Sequence, residues 1–342
     1  MTTSSQKRAA IHTLGCRLNQ SETAVLAGQL AEAGYDIVPF GEAADLGIVH
    51  TCTVTREADT KSRKMVRQFI RKNPNAYMAV IGCYAQMGTK ALSEIDGVDL
   101  IVGNEEKLNL LDYVAAGKSG APVIVRDKMD RDDFTLPELP EHAAATTRRA
   151  NLKIQDGCDF MCSFCIIPFA RGRSRSRELS DLLAEARTLV ARGAKELVLT
   201  GVNIGTYCWR ERTILDVVEG LNALPGLARI RISSIEPTTI PPELFDWMVD
   251  AQHALTPYLH IPLQAGSDRV LAAMGRKYSR AAFLDYVHGA RASIPGIGIG
   301  TDILVGFPGE TADEFDETER RVARGERGEN AGFSRGVFGP DA

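Results

Sequence analysis

The sequence lacks the long apolar runs that membrane spans need, and it is poor in aromatic residues. Only 6% of its 342 residues are aromatic. No stretch of about 18 uncharged apolar residues occurs. The opening Met1-Thr-Thr-Ser-Ser-Gln-Lys-Arg8 does not lead into the apolar segment of a signal peptide. We therefore expect a soluble, cytoplasmic protein with no secretory leader and no membrane partner.

The sequence also lacks an excess of charge of one sign. Forty basic and 44 acidic residues leave a formal net charge of −4, so contact with nucleic acid would need a local basic patch. Hydrophobic residues make up 44% and charged residues 25%, which is a globular composition. A length of 342 residues predicts two domains, each large enough for its own core.

Seven cysteines are unusual for a chain of this kind and need an explanation. An odd number without a secretory signal argues against a disulfide framework, because the cytosol keeps thiols reduced. Metal ligation or catalysis explains them better. They form a dispersed trio, a tight trio and a single residue that we interpret as structural: Cys16, Cys52 and Cys83; Cys158, Cys162 and Cys165; and Cys208.

Short β-rich runs alternate with helical patterns over residues 8–125, which predicts an N-terminal domain with a parallel sheet sandwiched between helices. The predicted strands are Ala10–Leu14, Leu46–His50, Tyr77–Ile81 and Val98–Val102. The predicted helices are Ser21–Ala33, Arg56–Lys72 and Glu105–Ala116. Residues 126–149 carry a charge run without periodicity, and we predict a linker there.

The alternation resumes with longer units over residues 150–342. The predicted strands are Ala150–Gln155, Lys195–Thr200, Ala228–Ser233, Tyr258–Pro262, Ile297–Val305 and Phe333–Phe338. Five or six such units predict a partial (β/α) barrel, so the fold class is α/β throughout. The stretch 320–330 is charged and broken by glycine, and we expect the barrel to be incomplete at its C-terminal end, with an exposed strand edge.

The tight trio has Cys-x3-Cys-x2-Cys spacing just after the first strand of the barrel. Three thiolates on one loop can hold three irons of a [4Fe–4S] cluster and leave the fourth iron open. Loops after barrel strands build active sites, so a substrate or cofactor could reach that iron. A zinc site, or a structural cluster with a remote fourth ligand, is the alternative.

The members of the dispersed trio each follow a predicted strand. The C-terminal ends of parallel strands share one edge of a sheet, so the three cysteines could converge there. Gly15 and Gly82, each just before a cysteine, would permit tight turns. The alternative is three buried free cysteines in a core.

At the tight trio the sequence resembles the radical S-adenosylmethionine (SAM) superfamily, whose signature is this spacing. Further motifs resemble the methylthiotransferase family within it, and the similarity covers about residues 8 to 318. Those motifs are Ile154-Gln-Asp-Gly-Cys158, Cys165-Ile-Ile-Pro168, Arg171-Gly-Arg-Ser-Arg-Ser-Arg177, Ser233-Ser-Ile-Glu-Pro237, His260-Ile-Pro-Leu-Gln-Ala-Gly-Ser267, Met274-Gly-Arg-Lys-Tyr278 and Gly300-Thr-Asp-Ile-Leu-Val-Gly-Phe-Pro-Gly-Glu310.

The resemblance implies that the tight trio holds a [4Fe–4S] cluster whose open iron binds SAM. Reductive cleavage of SAM would give methionine and a 5′-deoxyadenosyl radical, which abstracts hydrogen from an unactivated C–H bond. The resemblance also implies that the dispersed trio holds a second [4Fe–4S] cluster, which takes part in supplying sulfur. One SAM would then provide the methyl group and another the radical.

Two motifs around the dispersed trio resemble the branch that modifies C2 of N6-threonylcarbamoyladenosine at position 37, in the anticodon loop of tRNA. They are Thr13-Leu-Gly-Cys-Arg-Leu-Asn-Gln-Ser-Glu-Thr23 and Thr51-Cys-Thr-Val-Thr-Arg-Glu-Ala-Asp-Thr-Lys-Ser-Arg63. Branches acting on isopentenyl-adenosine in tRNA or on an aspartate of a ribosomal protein are alternatives. His50 departs from the family, which usually has asparagine there.

The family normally carries a C-terminal RNA-binding β-barrel, and we expect it to be absent here. A truncated, non-catalytic iron–sulfur protein and a zinc-binding nucleic-acid module therefore stay as alternatives. Candidate SAM contacts lie at or after predicted strand ends: Asn203, Ser234, Glu236, Gln264 and Asp302. Candidate RNA contacts come from two basic stretches, a helix and a segment that would place four arginines on one side if extended: Lys61, Arg63, Lys64 and Arg67; and Arg171, Arg173, Arg175 and Arg177. The alternative for the helix is a solvated charged face, and the four arginines could instead hold the SAM carboxylate.

Overall fold

The computed structural model describes residues 6–129, 132–138, 148–323 and 333–337. The chain divides into two compact units. The first contains Met1–Thr147 together with Ile166–Arg173, and the second contains Arg148–Cys165 together with Ser174–Ala342. The first unit is therefore assembled from two separate stretches of chain, and the shorter one directly follows the tight cysteine trio.

The first unit is built on a parallel sheet. Its strands are β1 (Arg8–Thr13), β2 (Asp36–Val38), β3 (Leu46–Thr51), β4 (Tyr77–Gly82), β5 (Leu100–Val102) and β6 (Val123–Val125). They lie in the order β2-β1-β3-β4-β5-β6. Strands β3 and β4 are buried along their whole length, as expected when helices cover both faces of a parallel sheet. The predicted α/β fold of this part is confirmed.

Helices connect these strands, except the last helix of the unit, which lies on the separate stretch Ile166–Arg173. They are α1 (Arg17–Glu32), α2 (Arg56–Lys72), α3 (Cys83–Met87), α4 (Thr89–Ser93), α5 (Leu110–Val114) and α6 (Ile167–Arg171), with a 3-10 turn at Glu106–Asn109 before α5. Helix α2 has the predicted bounds, and its N-cap Thr55 accepts a hydrogen bond from the Ala58 N–H at 3.1 Å. Helix α1 begins four residues before the predicted Ser21, because the turn at Gly15 lets it start directly after β1.

The edge strands β2 and β6 were not predicted from the sequence. Each has only three residues, too few for a periodic pattern, and Ile124 in β6 is exposed. The core of the unit consists of two apolar clusters made from alternating strand residues, such as Val49 and Val80 in one and Ile48 and Ile81 in the other. Alternation places them on opposite faces of the sheet.

The second unit has strands and helices that alternate along the chain. Its strands are β7 (Arg149–Lys153), β8 (Gln155–Asp156), β9 (Arg175–Ser176), β10 (Glu196–Thr200), β11 (Cys208–Trp209), β12 (Arg212–Thr213), β13 (Arg229–Ile232), β14 (Tyr258–His260), β15 (Gly298–Val305) and β16 (Phe333–Val337). Its helices are α7 (Leu179–Ala191), α8 (Ile214–Asn222), α9 (Glu243–Val249), α10 (Asp268–Ala273), α11 (Arg280–Ser293) and α12 (Ala312–Ala323), and 3-10 turns lie at Ile204–Thr206 and Pro237–Thr239.

Two groups of parallel strands form the barrel wall, β7-β10-β13 and β14-β15-β16. A parallel bridge between Ile230 and Leu255 and a 3.2 Å hydrogen bond from the Ile235 N–H to the His260 carbonyl join them. The strands that the sequence predicts for this unit are thus present, in sequential order, as a partial (β/α) barrel requires. Short antiparallel pairs, β8 with β9 and β11 with β12, accompany this wall.

Parts of the predicted linker and of the C-terminal stretch lie outside the described residues. Residues 130–131 and 139–147 of the linker are not described, and Arg149 already belongs to β7. Of the stretch 320–330, only the end of α12 is described. Among the described helices, none is long and apolar enough to cross a membrane.

We expect Gly47→Ala to destabilise the first unit. A Cβ at Gly47 in β3 would lie 2.2 Å from the Cε1 of Phe69, whose ring is buried on α2. Overpacking of this kind costs about 1 to 3 kcal/mol. The matched control is Gly289→Ala in α11, where a Cβ meets nothing within 4 Å and alanine favours the helix by up to about 1 kcal/mol. Urea denaturation of both variants measures the difference, and equal unfolding free energies would contradict this packing.

Candidate active site

The dispersed cysteine trio lies at one edge of the first unit's sheet. Cys16 is the N-cap residue of α1, just beyond β1, and Cys52 follows directly after β3. Cys83 is the first residue of α3 and follows β4. Because β1, β3 and β4 are adjacent parallel strands, all three cysteines leave the sheet at its C-terminal edge, where α/β proteins bind ligands.

Two glycines allow the strand-end loops to approach one another closely. Gly15 has a φ of +97°, and a Cβ there would lie 2.7 Å from the Cβ of Cys52. Gly82 has a φ of +95°, and a Cβ there would lie 2.6 Å from the Cδ2 of His50. A positive φ with contacts this short requires glycine. Gly15 before Cys16 and Gly82 before Cys83 therefore both pack directly on the end of β3.

Side-chain hydrogen bonds hold the same loops together. Asn19 Nδ2 donates to the carbonyl oxygens of Leu14 at 2.7 Å and Thr51 at 3.0 Å. Thr51 Oγ1 accepts from the backbone N–H groups of Tyr84 at 3.1 Å and Ala85 at 3.2 Å. The first pair joins the ends of β1 and β3, and the second joins the end of β3 to α3.

A buried group of charges accompanies the trio, and we call Glu22, Lys107 and Arg171 the Glu22 network. The fully buried Glu22 carboxylate lies 2.7 Å from Lys107 Nζ and 3.1 Å from Arg171 Nη1. His50 Nε2 lies 3.5 Å from the same carboxylate, and its Nδ1 shares a 2.9 Å hydrogen bond with Thr23 Oγ1. The network therefore gathers one carboxylate and two cations in the interior, where charges are stable only when they are paired.

Asn104 connects the Glu22 network to a thiol. Its Oδ1 accepts from Lys107 Nζ at 2.9 Å, and its Nδ2 donates to Cys83 Sγ at 3.4 Å and to the Ala170 carbonyl at 2.7 Å. The sequence analysis assigned no role to Asn104, Glu22 or Lys107, and it treated Arg171 as a candidate RNA contact. Asn104 comes just after β5, and residues that follow the C-terminal ends of parallel strands often bind ligands, so its position could have marked it as a candidate. Nothing in the sequence around Lys107 or Glu22 indicates a role at the site.

The three thiols of the dispersed trio influence one another electrostatically. Burial is the main cause that raises the pKa of the Cys52 thiol, and a hydrogen bond with the Val54 backbone opposes it. Negative charge at Cys83 or Cys16 raises that pKa further, and the Arg171 cation lowers it. These sulfurs and the guanidinium therefore share one electrostatic environment. A bound metal, which stabilises thiolates, would overcome the effect of burial.

The tight trio lies on the loop after β8. Gly157, with a φ of +69°, turns the chain out of that strand. Ser163 anchors the loop, because its N–H donates to the Met274 carbonyl and its Oγ to the Ala273 carbonyl, at 3.0 and 2.9 Å. Burial raises the pKa of the Cys158 thiol to about 11. The thiolate form that binds metal therefore needs a cation nearby.

Arg276 supplies one cation beside this loop. Its Nη1 donates to Cys162 Sγ at 3.3 Å, and its Nη2 donates to the Tyr278 hydroxyl at 2.7 Å. The guanidinium is almost wholly buried and forms an ion pair with Glu236. The sequence analysis gave Arg276 no role. The residue belongs to the motif Met274-Gly-Arg-Lys-Tyr278, which resembles the methylthiotransferase family, and that membership could have marked it as functional.

Both donor sets have the chemistry that an iron–sulfur cluster requires. Each offers three thiols with a buried cation and an N–H donor close to a sulfur, and three cysteines leave one iron of a [4Fe–4S] cluster open. Within the described residues, no three His, Cys, Asp or Glu side chains meet as closely as one metal ion requires. A [4Fe–4S] cluster binds each cysteine through a different iron, so its ligands do not have to meet at one point.

The side-chain amide of Asn203, near the barrel strand ends, is buried and has an unused N–H donor. Gln155 Oε1 accepts from the backbone N–H groups of Val202 at 2.8 Å and Asn203 at 3.1 Å. Asn203 Oδ1 accepts from Thr239 Oγ1 at 3.1 Å and the Glu236 N–H at 3.3 Å. Asn203 Nδ2 is buried without a hydrogen-bond partner in the structure. An orphaned donor of this kind fits a polar cofactor such as SAM.

The other candidate SAM contacts occupy varied positions. Ser234 follows β13, and its carbonyl accepts from the Ile204 N–H at 3.4 Å. Gln264 has a φ of +71°, and its backbone bridges to β15. Asp302 lies within β15 rather than after it, and its Oδ2 is 3.0 Å from His260 Nε2.

The four arginines after the tight trio do not form the single exposed row expected of an extended segment. Helix α6 ends at Arg171 and interrupts the alternation. Arg171 and Arg177 are each 1% exposed, and Arg177 pairs with two carboxylates of α7. Arg175 is buried as well, whereas Arg173 is exposed. The expectation that all four contact RNA is therefore wrong for the buried guanidinium groups, which are shielded from solvent.

The basic residues of α2 are arranged differently. Lys61, Lys64 and Arg67 are exposed, and Lys64 and Arg67 border a groove of about 570 Å3. Arg63 is half-buried and donates to the Tyr84 hydroxyl. An exposed basic helix face of this kind can bind a phosphate backbone.

Models of two protein families match the chain. One, described as an uncharacterized protein family, UPF0004, matches residues 8–103, and the radical SAM superfamily matches residues 152–322. The threonylcarbamoyladenosine tRNA methylthiotransferase MtaB of Bacillus subtilis is 39% identical over 312 residues, which cover 90% of this chain and 69% of that protein. The chain belongs to the radical SAM methylthiotransferase family. It is thus an enzyme that uses SAM and iron–sulfur chemistry.

Other members of the radical SAM methylthiotransferase family are similarly related. MtaB of Chlamydia pneumoniae is 40% identical and shares 90% of this chain and 70% of its own length. The tRNA-2-methylthio-N6-dimethylallyladenosine synthase of Nitratidesulfovibrio vulgaris is 37% identical, and the match again covers 90% of this chain and 70% of that protein. Among solved structures, the radical SAM methyltransferase TsrM of Kitasatospora setae has a TM-score of 0.68 at 17% identity and covers 97% of this chain and 75% of its own. That likeness concerns the fold alone.

We expect Glu22→Gln to destabilise the first unit strongly. It leaves the Lys107 and Arg171 cations without their carboxylate, and breaking a buried pair in this way costs about 3 to 5 kcal/mol. The matched control is Glu42→Gln, which removes a surface pair with Arg8 and should cost less than about 1 kcal/mol. Urea denaturation of the iron-free proteins measures both. Similar losses in the two variants would contradict the role given to the Glu22 network.

Proposed function

We propose that this enzyme catalyses methylthiolation at C2 of N6-threonylcarbamoyladenosine at position 37 of tRNA. The observation that carries the proposal is the 39–40% identity, across 90% of the chain, to proteins named for that modification. The strand-end placement of both cysteine trios supports the chemistry. The motifs around Cys16 and Cys52, which resemble the same branch, support the choice of nucleoside.

In this proposal Cys158, Cys162 and Cys165 hold one [4Fe–4S] cluster, and Cys16, Cys52 and Cys83 hold another. When bound, the clusters and two SAM molecules supply the radical, the methyl group and the route for sulfur. Asn203 Nδ2 is the first candidate to orient SAM, because it is a buried donor without a partner. Candidates of lower rank are Ser234, Gln264 and Asp302, while Glu236 acts through its ion pair with Arg276.

The chain's own residues balance charge at both sites. Arg276 donates to Cys162 Sγ and Asn104 donates to Cys83 Sγ, so each site has a donor aimed at a ligand sulfur. The Glu22 network holds the Arg171 cation where it lowers the pKa of the Cys52 thiol. Cationic surroundings and hydrogen bonds to sulfur both favour the reduced, more negative cluster.

The RNA-facing part of the proposal rests on the exposed residues of α2. Lys61, Lys64 and Arg67 would bind phosphates of tRNA, and Arg63 would keep its structural bond to Tyr84. The target base lies in a loop, where an unpaired base can be splayed out at little cost. A methylthiotransferase acting on dimethylallyladenosine is the second candidate, because synthases of that nucleoside are 34–37% identical to this chain.

Variants of the cysteines test the function and the two clusters together. Cys158→Ala should abolish 5′-deoxyadenosine formation, because SAM cleavage needs the cluster of the tight trio. Cys52→Ala should keep 5′-deoxyadenosine formation and lose the methylthio product. Anaerobic reaction of the reconstituted enzyme with SAM, reductant, sulfide and tRNA lacking the C2 modification, followed by mass spectrometry of nucleosides, measures both. Cys208→Ala, which alters an exposed cysteine outside both trios, is the matched control and should behave as the unaltered enzyme.

The outcomes of this experiment separate the alternatives. A methylthio group on threonylcarbamoyladenosine supports the proposal, and one on dimethylallyladenosine replaces it with the second candidate. Formation of 5′-deoxyadenosine without any modified nucleoside refutes tRNA as substrate under these conditions. Retained 5′-deoxyadenosine in Cys158→Ala refutes the assignment of the tight trio.

We expect Asn104→Leu to lower the reduction potential of the cluster held by the dispersed trio. The substitution removes the N–H donor to Cys83 Sγ, and such hydrogen bonds stabilise the reduced state. A redox titration followed by electron paramagnetic resonance measures the potential, in a background where the tight trio is replaced by alanine. Asn109→Leu, which removes an exposed asparagine bonded to Glu106, is the control. Equal potentials in the two variants would contradict the role of Asn104.

A further inference from the structure

A groove of about 420 Å3 in the first unit is not explained by the site described above. Its walls come from α3, from the residues after β6 and from the segment that contains α6. Phe169 and Gln86 border it together with four charged residues: Arg126, Asp127, Lys128 and Arg173.

Phe169 is the most exposed of the large hydrophobic side chains in the described part of the chain, with 61% of its surface open. It lies on α6, which is fixed at its end: the Ala170 carbonyl accepts from Asn104 at 2.7 Å, and Arg171 is held by Glu22. An aromatic ring on a firmly held element is already in place for stacking and loses little freedom when a partner binds.

The charges around the groove favour an anionic ligand. Three basic side chains, Arg126, Lys128 and Arg173, border it against the single carboxylate of Asp127. All four residues are exposed. The excess is two positive charges, on a protein whose net charge is −4, so the local potential opposes the overall one.

The groove is also connected to the dispersed trio within the same unit. Gln86 lies on α3, three residues after Cys83, and its Nε2 donates to the Asp127 carbonyl at 3.2 Å. Asn104 Nδ2 donates both to Cys83 Sγ and to the carbonyl of Ala170, next to Phe169. A ligand in the groove would therefore be held on the elements that carry Cys83.

We propose that this groove binds an unpaired nucleotide of the RNA substrate, with the base stacked on Phe169 and the flanking phosphates held by Arg126, Lys128 and Arg173. Single-stranded RNA is recognised by this combination, since every base has a face for an aromatic ring and every nucleotide has a phosphate for a cation. The inference rests on the proposed function in taking tRNA as the substrate. The nucleotide is a neighbour of the modified one in the same loop.

Binding of a fluorescently labelled anticodon stem–loop RNA to the reconstituted enzyme tests the stacking. Phe169→Ala should raise the Kd about 5- to 150-fold, which is the loss expected for one stacked base. Phe169→Tyr should retain the affinity, because it keeps the aromatic face. Phe315→Ala, which removes another partly exposed phenylalanine in the second unit, is the matched control and should not change the Kd.

The salt dependence of the Kd tests the binding of phosphates. The double variant Arg126→Gln with Lys128→Gln should weaken binding and reduce the slope of log Kd against log salt concentration by roughly 0.7 for each phosphate that the protein no longer neutralises. The double variant Arg187→Gln with Lys195→Gln removes two exposed cations of the second unit and should leave the slope unchanged.

The two proposals fail in distinguishable ways. If the unaltered enzyme methylthiolates tRNA but Phe169→Ala binds the RNA as tightly as the control, the groove assignment is overturned and the function stands. If the RNA binds through Phe169 but no nucleoside is modified, the function is overturned and the groove stands. Circular dichroism and thermal melting of Phe169→Ala establish that its fold is intact, as expected for an exposed side chain.

Discussion

The pairing of one buried carboxylate with two cations determines how the first unit is built. Glu22 comes from α1, Lys107 from the 3-10 turn after β5, and Arg171 from α6, so three distant parts of the chain must meet to form these ion pairs. The sheet positions the cysteines, but this network fixes the helices around them. The Arg171 cation of the network also lowers the pKa of the Cys52 thiol, so it favours the thiolate form of that residue.

The second unit repeats this arrangement with different residues. Arg276 is shared between the Glu236 carboxylate and the sulfur of Cys162, so its charge is only partly compensated by protein. Burial disfavours free thiolates at Cys158 and Cys52. A backbone hydrogen bond from Phe160 opposes that tendency at Cys158, and a backbone hydrogen bond from Val54 together with the Arg171 cation opposes it at Cys52. At both trios, therefore, a side chain from outside the trio donates a hydrogen bond to a cysteine sulfur.

Much of the fold follows from patterns visible in the sequence, because buried strands such as β3 and β4 consist mainly of apolar residues. The positions of the cysteines were likewise predictable, because ligand-binding residues of parallel sheets follow the C-terminal ends of the strands. The buried partners could not be predicted, since Glu22 and Lys107 look like ordinary surface residues of helices in the sequence. The arginines after the tight trio show the opposite error: a basic run suggested RNA binding, yet Arg171 and Arg177 have buried carboxylate partners. Sequence reveals the charge of a residue but not the residue that neutralises it.

The return of the chain to the first unit at Ile166–Arg173 affects the order in which the protein can fold during synthesis. Most of the first unit leaves the ribosome before β7, yet Arg171 and the carbonyl of Ala170 that Asn104 binds are made only after the tight cysteine loop. A nascent chain that stops short of this segment has Glu22 facing Lys107 without its second cation. The Glu22 network of the first unit is therefore complete only after the loop of the tight trio has been synthesised.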